Sequence, residues 1–517
     1  MLYHMMKIIN MKRILFLLSL GLWVSVNAKH GNPTYASDVA SIIYAKCSNC
    51  HSPGNIAPFP LVNFNQVLDN RFAIQNSVQK GSMPPWLADN TYQQYAHNKS
   101  LTEDEKDKII DWVNNGAPRG DVNLEPPSPT FSNKGTLINP DQIFTIPTYT
   151  LAGDKDDYRC FVIPINNLEA KFIKSIEFLP ANKNVVHHIL LFTDSTNSCK
   201  LLDDADPLPG YQSFGGVGSN KALLTQLWAP GGTAYTFPNG LGNRIAANSY
   251  FVLQVHYAPG FKGEKDSSQF VINWNKETTI RSTSLAAILN HSTSIINGPL
   301  EIPADSIKTF YSKFKIPFDI SLLGVLPHMH LIGKKIKAYG VTLLGDTIHL
   351  IKIDNWDFHW QANYSFKKLM KIPAGTTFYG EAVYDNTVNN PYNPSSPPKL
   401  VVRGESTLDE MMLIYFNYLR YQPGDENISQ EDSLKTSVST NVLLPKNVQV
   451  FPNPATDKIN VWSENKIYTL TLFDINGKMV LTKDNTNFMD TDKLKGGIYF
   501  LEITFENSKT YKKIIIE

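Results

Sequence analysis

Between about residues 135 and 425 the chain is a succession of short strand-like runs, and helical periodicity is nearly absent. Phe161-Val162-Ile163-Pro164-Ile165, Ile189-Leu190-Leu191-Phe192, Tyr250-Phe251-Val252-Leu253-Gln254-Val255 and Met412-Leu413-Ile414-Tyr415-Phe416 are rich in β-branched, aromatic or other apolar residues. Gly, Pro and Asn separate them. A stretch of this length predicts two antiparallel β-sandwich domains in series, jelly-roll-like, over 135–285 and 295–423. Composition agrees: among 517 residues, 42% are apolar and 11% aromatic, with 32 Pro and 30 Gly. The formal net charge of +1 leaves no basic excess, so nucleic acid is not an expected partner.

The flanks differ. Lys12-Arg13 precede the apolar run Ile14–Val26, and Val26-Asn27-Ala28 offers small residues for cleavage, so 1–28 reads as a signal peptide. Residues 33–120 have the pattern of a small all-α domain. Thr102 and Glu105 form a helix-start signature, followed by the apolar face Ile109, Ile110, Trp112 and Val113. Within this region Cys47-Ser48-Asn49-Cys50-His51 is C-x-x-C-H, the attachment signature of a c-type haem. Cys47 and Cys50 would form the thioethers and His51 an axial ligand. Met83, in Met83-Pro84-Pro85-Trp86, is the preferred second axial ligand, with His97 or water as the alternative. The two other cysteines, Cys160 and Cys199, read as one disulfide in an exported chain, or else as two buried thiols.

The strand region carries clustered imidazoles and thioethers, a ligand set that suits copper. His187 and His188 are adjacent, so they could share one metal only at a strand end or bulge, because neighbouring side chains of a strand point to opposite faces. His256 could add a third nitrogen. His328 and His330 are two apart and share a face, and Met411 or Met412 could add sulfur.

Taken with their order, four motifs resemble the copper type II, ascorbate-dependent monooxygenases. They are Asn184–Phe192, Leu253-Gln254-Val255-His256-Tyr257, His328-Met329-His330-Leu331-Ile332-Gly333-Lys334 and Ser406-Thr407-Leu408-Asp409-Glu410-Met411. The resemblance implies two coppers per chain. His187, His188 and His256 would hold the electron-relay copper, and His328, His330 and Met411 the catalytic one, with a solvent-filled, substrate-binding cleft between them. The resemblance favours Met411 over Met412, because the family's ligand directly follows an acidic residue, as Met411 follows Glu410. Dioxygen, a small-molecule substrate and ascorbate or another electron donor are the implied partners. Cys160 resembles a half-cystine of the family's first sandwich. Leu326 and Leu413 stand where the peptide-amidating branch has Arg and Asn, which disfavours peptide amidation. Tyr415 matches a substrate-contacting Tyr of that branch and reads equally well as an ordinary strand aromatic. The 33–120 region likewise resembles class I c-type cytochrome domains, which implies one covalent haem c.

Residues 424–446 read as a polar linker, and 447–517 as an Ig-like β-sandwich. Val450-Phe451-Pro452-Asn453-Pro454, Leu470–Lys478 and Gly496-Gly497-Ile498-Tyr499 resemble the C-terminal sorting domain of the type IX secretion system of Bacteroidetes. That implies the type IX machinery as a partner and a secreted or cell-surface location. The expected whole is an exported copper monooxygenase hydroxylating a C–H bond, with a fused cytochrome that supplements the reductant. The alternative is a surface electron carrier or copper-binding cytochrome without hydroxylase activity.

Overall fold

A computed structural model describes residues 32–431 and 448–517, apart from 54, 56, 130–134, 138, 215, 464–465, 475–477 and 506–508. The expected signal peptide and most of the expected linker lie outside the described residues. The chain divides into two compact units at Glu431.

The first unit opens with a helical layer: a π-turn Tyr35–Val39 running into α1 (Ala40–Lys46), then α2 (Phe64–Asp69), α3 (Arg71–Gln79) and α4 (Glu103–Asn114). At the start of α4, Thr102 Oγ1 accepts the Glu105 N–H and the Glu105 carboxylate accepts the Thr102 N–H. Tyr35, Val39, Ile43, Val67, Ile109 and Trp112 form its core. The layer is not the self-contained all-α domain expected over 33–120. Between α3 and α4 the chain leaves it as a strap whose Ala88 and Tyr95 join the core of the second sandwich, with Trp86 packed against it. Asp89 N–H donates to Lys352 O (2.8 Å), and Ala96 N–H donates to Ser365 O (2.8 Å).

Ten strands of the first sandwich matter here. They are β1 (Gln142–Thr145), β2 (Asp157–Pro164), β3 (Lys171–Leu179), β4 (Val186–Asp194), β5 (Tyr211–Gln212), β6 (Leu223–Trp228), β7 (Leu241–Ile245), β8 (Tyr250–Tyr257), β9 (Gln269–Trp274) and β10 (Arg281–Ser282). One sheet runs β1-β9-β3-β7-β10, the other β5-β2-β8-β4-β6. Ile189, Leu191, Phe251, Leu253 and Phe270 fill the space between. The second sandwich comprises β11 (Ser284–Asn290), β12 (Ser306–Lys315), β13 (Ile320–His328), β14 (Gly333–Val341), β15 (Thr347–Ile353), β16 (Tyr364–Ile372), β17 (Thr377–Asn386) and β18 (Leu413–Arg420). Its sheets run β11-β18-β13-β16 and β12-β17-β14-β15.

The two sandwiches meet through apolar contacts, since Leu323, Leu369 and Leu419 of the second belong to the core of the first. Residues 424–431, expected to begin the linker, are packed against this junction. Asp425 pairs with Arg281 and accepts from Ser321 Oγ (2.6 Å), while Gln430 Nε2 donates to Phe366 O (2.8 Å). The polar composition that suggested a linker here serves specific hydrogen bonds instead.

The second unit is all β. Gln449–Phe451, Lys458–Trp462 and Phe488–Asp490 form one sheet. Met479–Asp484, Thr469–Phe473, Gly497–Thr504 and Lys509–Ile516 form the other. Ile459, Leu470, Leu472, Leu501 and Ile514 lie in its core.

Candidate metal centres

The adjacent histidines share a metal-sized site because β4 is bulged. His256 pairs with His188 while Tyr257 pairs with Val186, so His187 is the extra residue of a β-bulge. The bulge turns both imidazoles towards His256. His188 Nδ1 lies 3.2 Å from His187 Nδ1 and 3.2 Å from His256 Nδ1. Nitrogens that converge in this way invite a cation. The tautomer of His256 suits it: Nε2–H donates to Asp156 Oδ1 at 2.7 Å, which leaves the Nδ1 lone pair inward. Tyr158 stacks on the His256 ring at 4.1 Å and 7°. Burial raises the pKa of Asp156, but hydrogen bonds from His256 and Thr407 outweigh it and the net shift is downward.

His328 ends β13, and His330 follows two residues later, with ring centroids 5.1 Å apart. Their nitrogens are arranged the other way round. His328 Nδ1–H donates to Gln361 Oε1, and His330 Nδ1–H donates to Asp409 O (3.1 Å), so both Nε2 lone pairs are free. Burial pushes the His328 pKa down to about 4 and that of His187 to about 3; His188 and His330 also lie well below the ordinary value, chiefly through burial. Neutral imidazoles are the ligand form.

Glu410 ties the methionine to this pair. Its carboxylate accepts the N–H groups of His330 (2.8 Å), Ile332 (2.8 Å) and Met411 (3.2 Å). Burial pushes its pKa up to about 8 against the pull of those donors. Met412 belongs to the second sandwich's core, whereas Met411 does not. His291 Nδ1 accepts the Met412 N–H at 3.0 Å and so helps to place the residue after Met411.

A solvent-filled cleft between the two sets was expected, and the structure differs. His188 and His328 have centroids 6.4 Å apart. Phe358 stacks on His187 (4.7 Å, 20°) and meets His330 edge-on (5.6 Å). Trp356 Nε1–H donates to His330 O (3.2 Å), so the one segment 356–361 supports both histidines of the second set and fills the gap to the first. Asp156, Tyr158, Phe358 and Gln361 escaped sequence reasoning because their partners are remote along the chain.

Tyr415 on β18 lies opposite Leu326, and Leu413 opposite His328. Directly paired residues share a face, so Leu326, Leu413 and Tyr415 line the sheet beside His328. Ile414 and Phe416 point into the core instead.

In the helical layer, Cys50 N–H and His51 N–H both bond to Cys47 O (3.2 and 3.0 Å). His51 Nδ1–H donates to Phe59 O (2.9 Å), which leaves Nε2 for an iron. The donor set fits a covalently held haem. Burial pushes the Cys47 thiol up to about 12 and raises Cys50 as well, the reverse of a reactive dithiol. Met83 lies on the segment between α3 and the strap, part-exposed. Cys50 faces the first sandwich: a Cβ placed on Gly231 would lie 3.5 Å from its Sγ, and Lys99 Nζ donates to Gly231 O (3.1 Å).

Cys160 and Cys199, expected as a disulfide, are free thiols buried in one cluster with Tyr211, Val217 and Val252. Cys199 Sγ–H donates to Val217 O (3.7 Å), which also accepts from the Tyr211 hydroxyl (2.6 Å).

Comparison with known proteins agrees with this geometry. Residues 143–262 match the N-terminal domain, and 306–443 the C-terminal domain, of copper type II ascorbate-dependent monooxygenases. Both domains of that copper enzyme family therefore have a counterpart in this chain. Residues 449–517 match a secretion system C-terminal sorting domain, which indicates type IX export to the cell surface or the medium. The human putative DBH-like monooxygenase protein 2 is 24% identical over 298 residues, 53% of this chain and 55% of that protein. An endo-acting ulvan lyase of Formosa agariphila is 31% identical over 88 residues, 16% of this chain and 17% of that protein. The chain thus spans about half the length, or less, of these relatives. Among solved structures, the peptide N-glycanase F aligns with 54% of this chain and 96% of its own, at 11% identity and a TM-score of 0.25, too low to carry an argument.

Proposed function

We propose that the chain is an exported copper monooxygenase that hydroxylates a C–H bond of a small, largely uncharged organic substrate. The observation that carries this reading is the meeting of two histidine sets, one converging through Nδ1 and the other with Nε2 left free and tied to Met411 through Glu410. His187, His188 and His256 hold the relay copper, and His328, His330 and Met411 hold the catalytic copper. Bound copper supplies the redox chemistry by which R–H, dioxygen, two electrons and two protons become R–OH and water.

The residues around it orient and exclude. Asp156 and Gln361 fix imidazole tautomers, Glu410 holds His330 and Met411 together, and Phe358 keeps water from between the sets. Leu326, Leu413 and Tyr415 offer an apolar face with one hydroxyl, which suits an uncharged substrate and leaves a peptide carboxylate without a cationic partner.

Cys47, Cys50 and His51, with Met83 or His97 as sixth ligand, hold one haem c. The Gly231 turn that Cys50 faces follows β6, whose Trp228 pairs with Ile189, next to His188. A haem there supplements ascorbate as the electron source.

The test is ¹⁸O₂ turnover of the copper-loaded protein with ascorbate over a panel of small uncharged arenes and amines. Label in a hydroxylated product supports the reading. Electron exchange without incorporation across the panel favours the surface electron carrier.

A further inference from the structure

We propose that Asp156 is a positioning residue that couples the two metal sets: it holds His256 of the first and, through Thr407, the loop that delivers Met411 of the second. The proposal rests on the copper reading above.

Asp156 immediately precedes β2 and uses both carboxylate oxygens across the junction of the sandwiches. Oδ1 accepts from His256 Nε2 at 2.7 Å, and Oδ2 accepts from Thr407 Oγ1 at 2.8 Å. Tyr158, two residues on and therefore on the same face of the strand, repeats the span. Its ring stacks on His256, and its hydroxyl donates to Glu405 O at 2.8 Å. Two neighbouring side chains thus touch both His256 and the 405–411 segment. That segment continues into Glu410, whose carboxylate carries the N–H groups of His330 and Met411. The hydrogen-bonded route runs from His256 through Asp156 and Thr407 to both kinds of ligand in the second set.

A cation on the three Nδ1 atoms draws electron density from His256 and strengthens its Nε2–H bond to Asp156. Carboxylate partners of this kind orient ligand imidazoles and raise their basicity. A carboxylate fixed in this way also fixes Thr407, and with it the approach of Met411. The coupling is reciprocal, as any linkage between two binding sites must be.

The experiment is a Cu(I) titration against a competing chelator, with the second site identified by its copper–sulfur signature in X-ray absorption. Its affinity is compared between the parent, whose first set is filled, and His187→Ala, whose first set is blocked. The parent is expected to bind about 10-fold tighter at the second site, a coupling of about 1.4 kcal/mol. Thr407→Val is expected to keep two coppers and the parent's Cu(II) spectrum at the first set while losing the 10-fold difference; Thr407→Ser restores it. Asp156→Asn is expected to change the first-set Cu(II) spectrum as well. Equal second-site affinity in the parent and His187→Ala, or undiminished coupling in Thr407→Val, overturns the proposal. A parent that binds fewer than two coppers overturns the reading beneath it, and the copper count separates the two failures.

Discussion

His256, His328 and His330 each have one ring nitrogen committed outside the metal sets, and which one differs between the sets. Asp156 takes Nε2 of His256, whereas Gln361 and Asp409 O take Nδ1 of His328 and His330. Gln361→Leu removes the acceptor that fixes His328. We expect it to weaken copper at the second set by about 10- to 100-fold and leave the first set unchanged, as read by Cu(I) titration with a competing chelator. Glu410→Ala strands three buried N–H donors, so we expect a loss of about 3–5 kcal/mol in urea unfolding. The histidines and Met411 proposed as ligands stand in short local patterns that the sequence displays. Asp156 stands in no such pattern, because its partners are 100 and 251 residues away.

At the scale of the element, the bulge in β4 and the strap before α4 do most to place the sites. Adjacent histidines on a strand demanded a bulge or a strand end, and the register shows the bulge opposite His256. The strap was not legible. Trp86 and Tyr95 read as residues of a helical domain because a sequence pattern shows that a side chain is apolar, not which core receives it. In the structure Trp86 meets Tyr364 edge-on at 5.1 Å and Tyr95 at 6.1 Å. Trp86→Ala is expected to cost about 3 kcal/mol and to open the segment between α3 and α4 to limited proteolysis. Cleavage at the parental rate would show that the strap stays docked without it.

The whole molecule is expected to be acid-sensitive when copper is removed. In the folded chain burial lowers the pKa of His187 to about 3 and of His291 and His328 to about 4, with His188 and His330 also far down; in the unfolded chain each returns to about 6.5. Between pH 6.5 and 4 the unfolded chain therefore binds more protons, and stability falls as pH falls, by about 1.4 kcal/mol per pH unit for each such histidine. Glu410, raised to about 8, works in the opposite sense as one group against five. Calorimetry of the apo-protein between pH 7 and pH 5 should show a falling Tm, and a flat profile would contradict the burial argument. At this scale the two β-sandwiches and the β tail could be anticipated from strand spacing. The closed meeting of the two histidine sets could not, because it depends on Phe358 and on contacts that join separate sandwiches. The measurement that tests the central claim most directly is copper and haem per mature chain after anaerobic copper loading, in the parent, His187→Ala and Met411→Ala. The account predicts two coppers and one haem in the parent, with one copper lost or weakened in each variant, and a parent with one haem and no stoichiometric copper would contradict it.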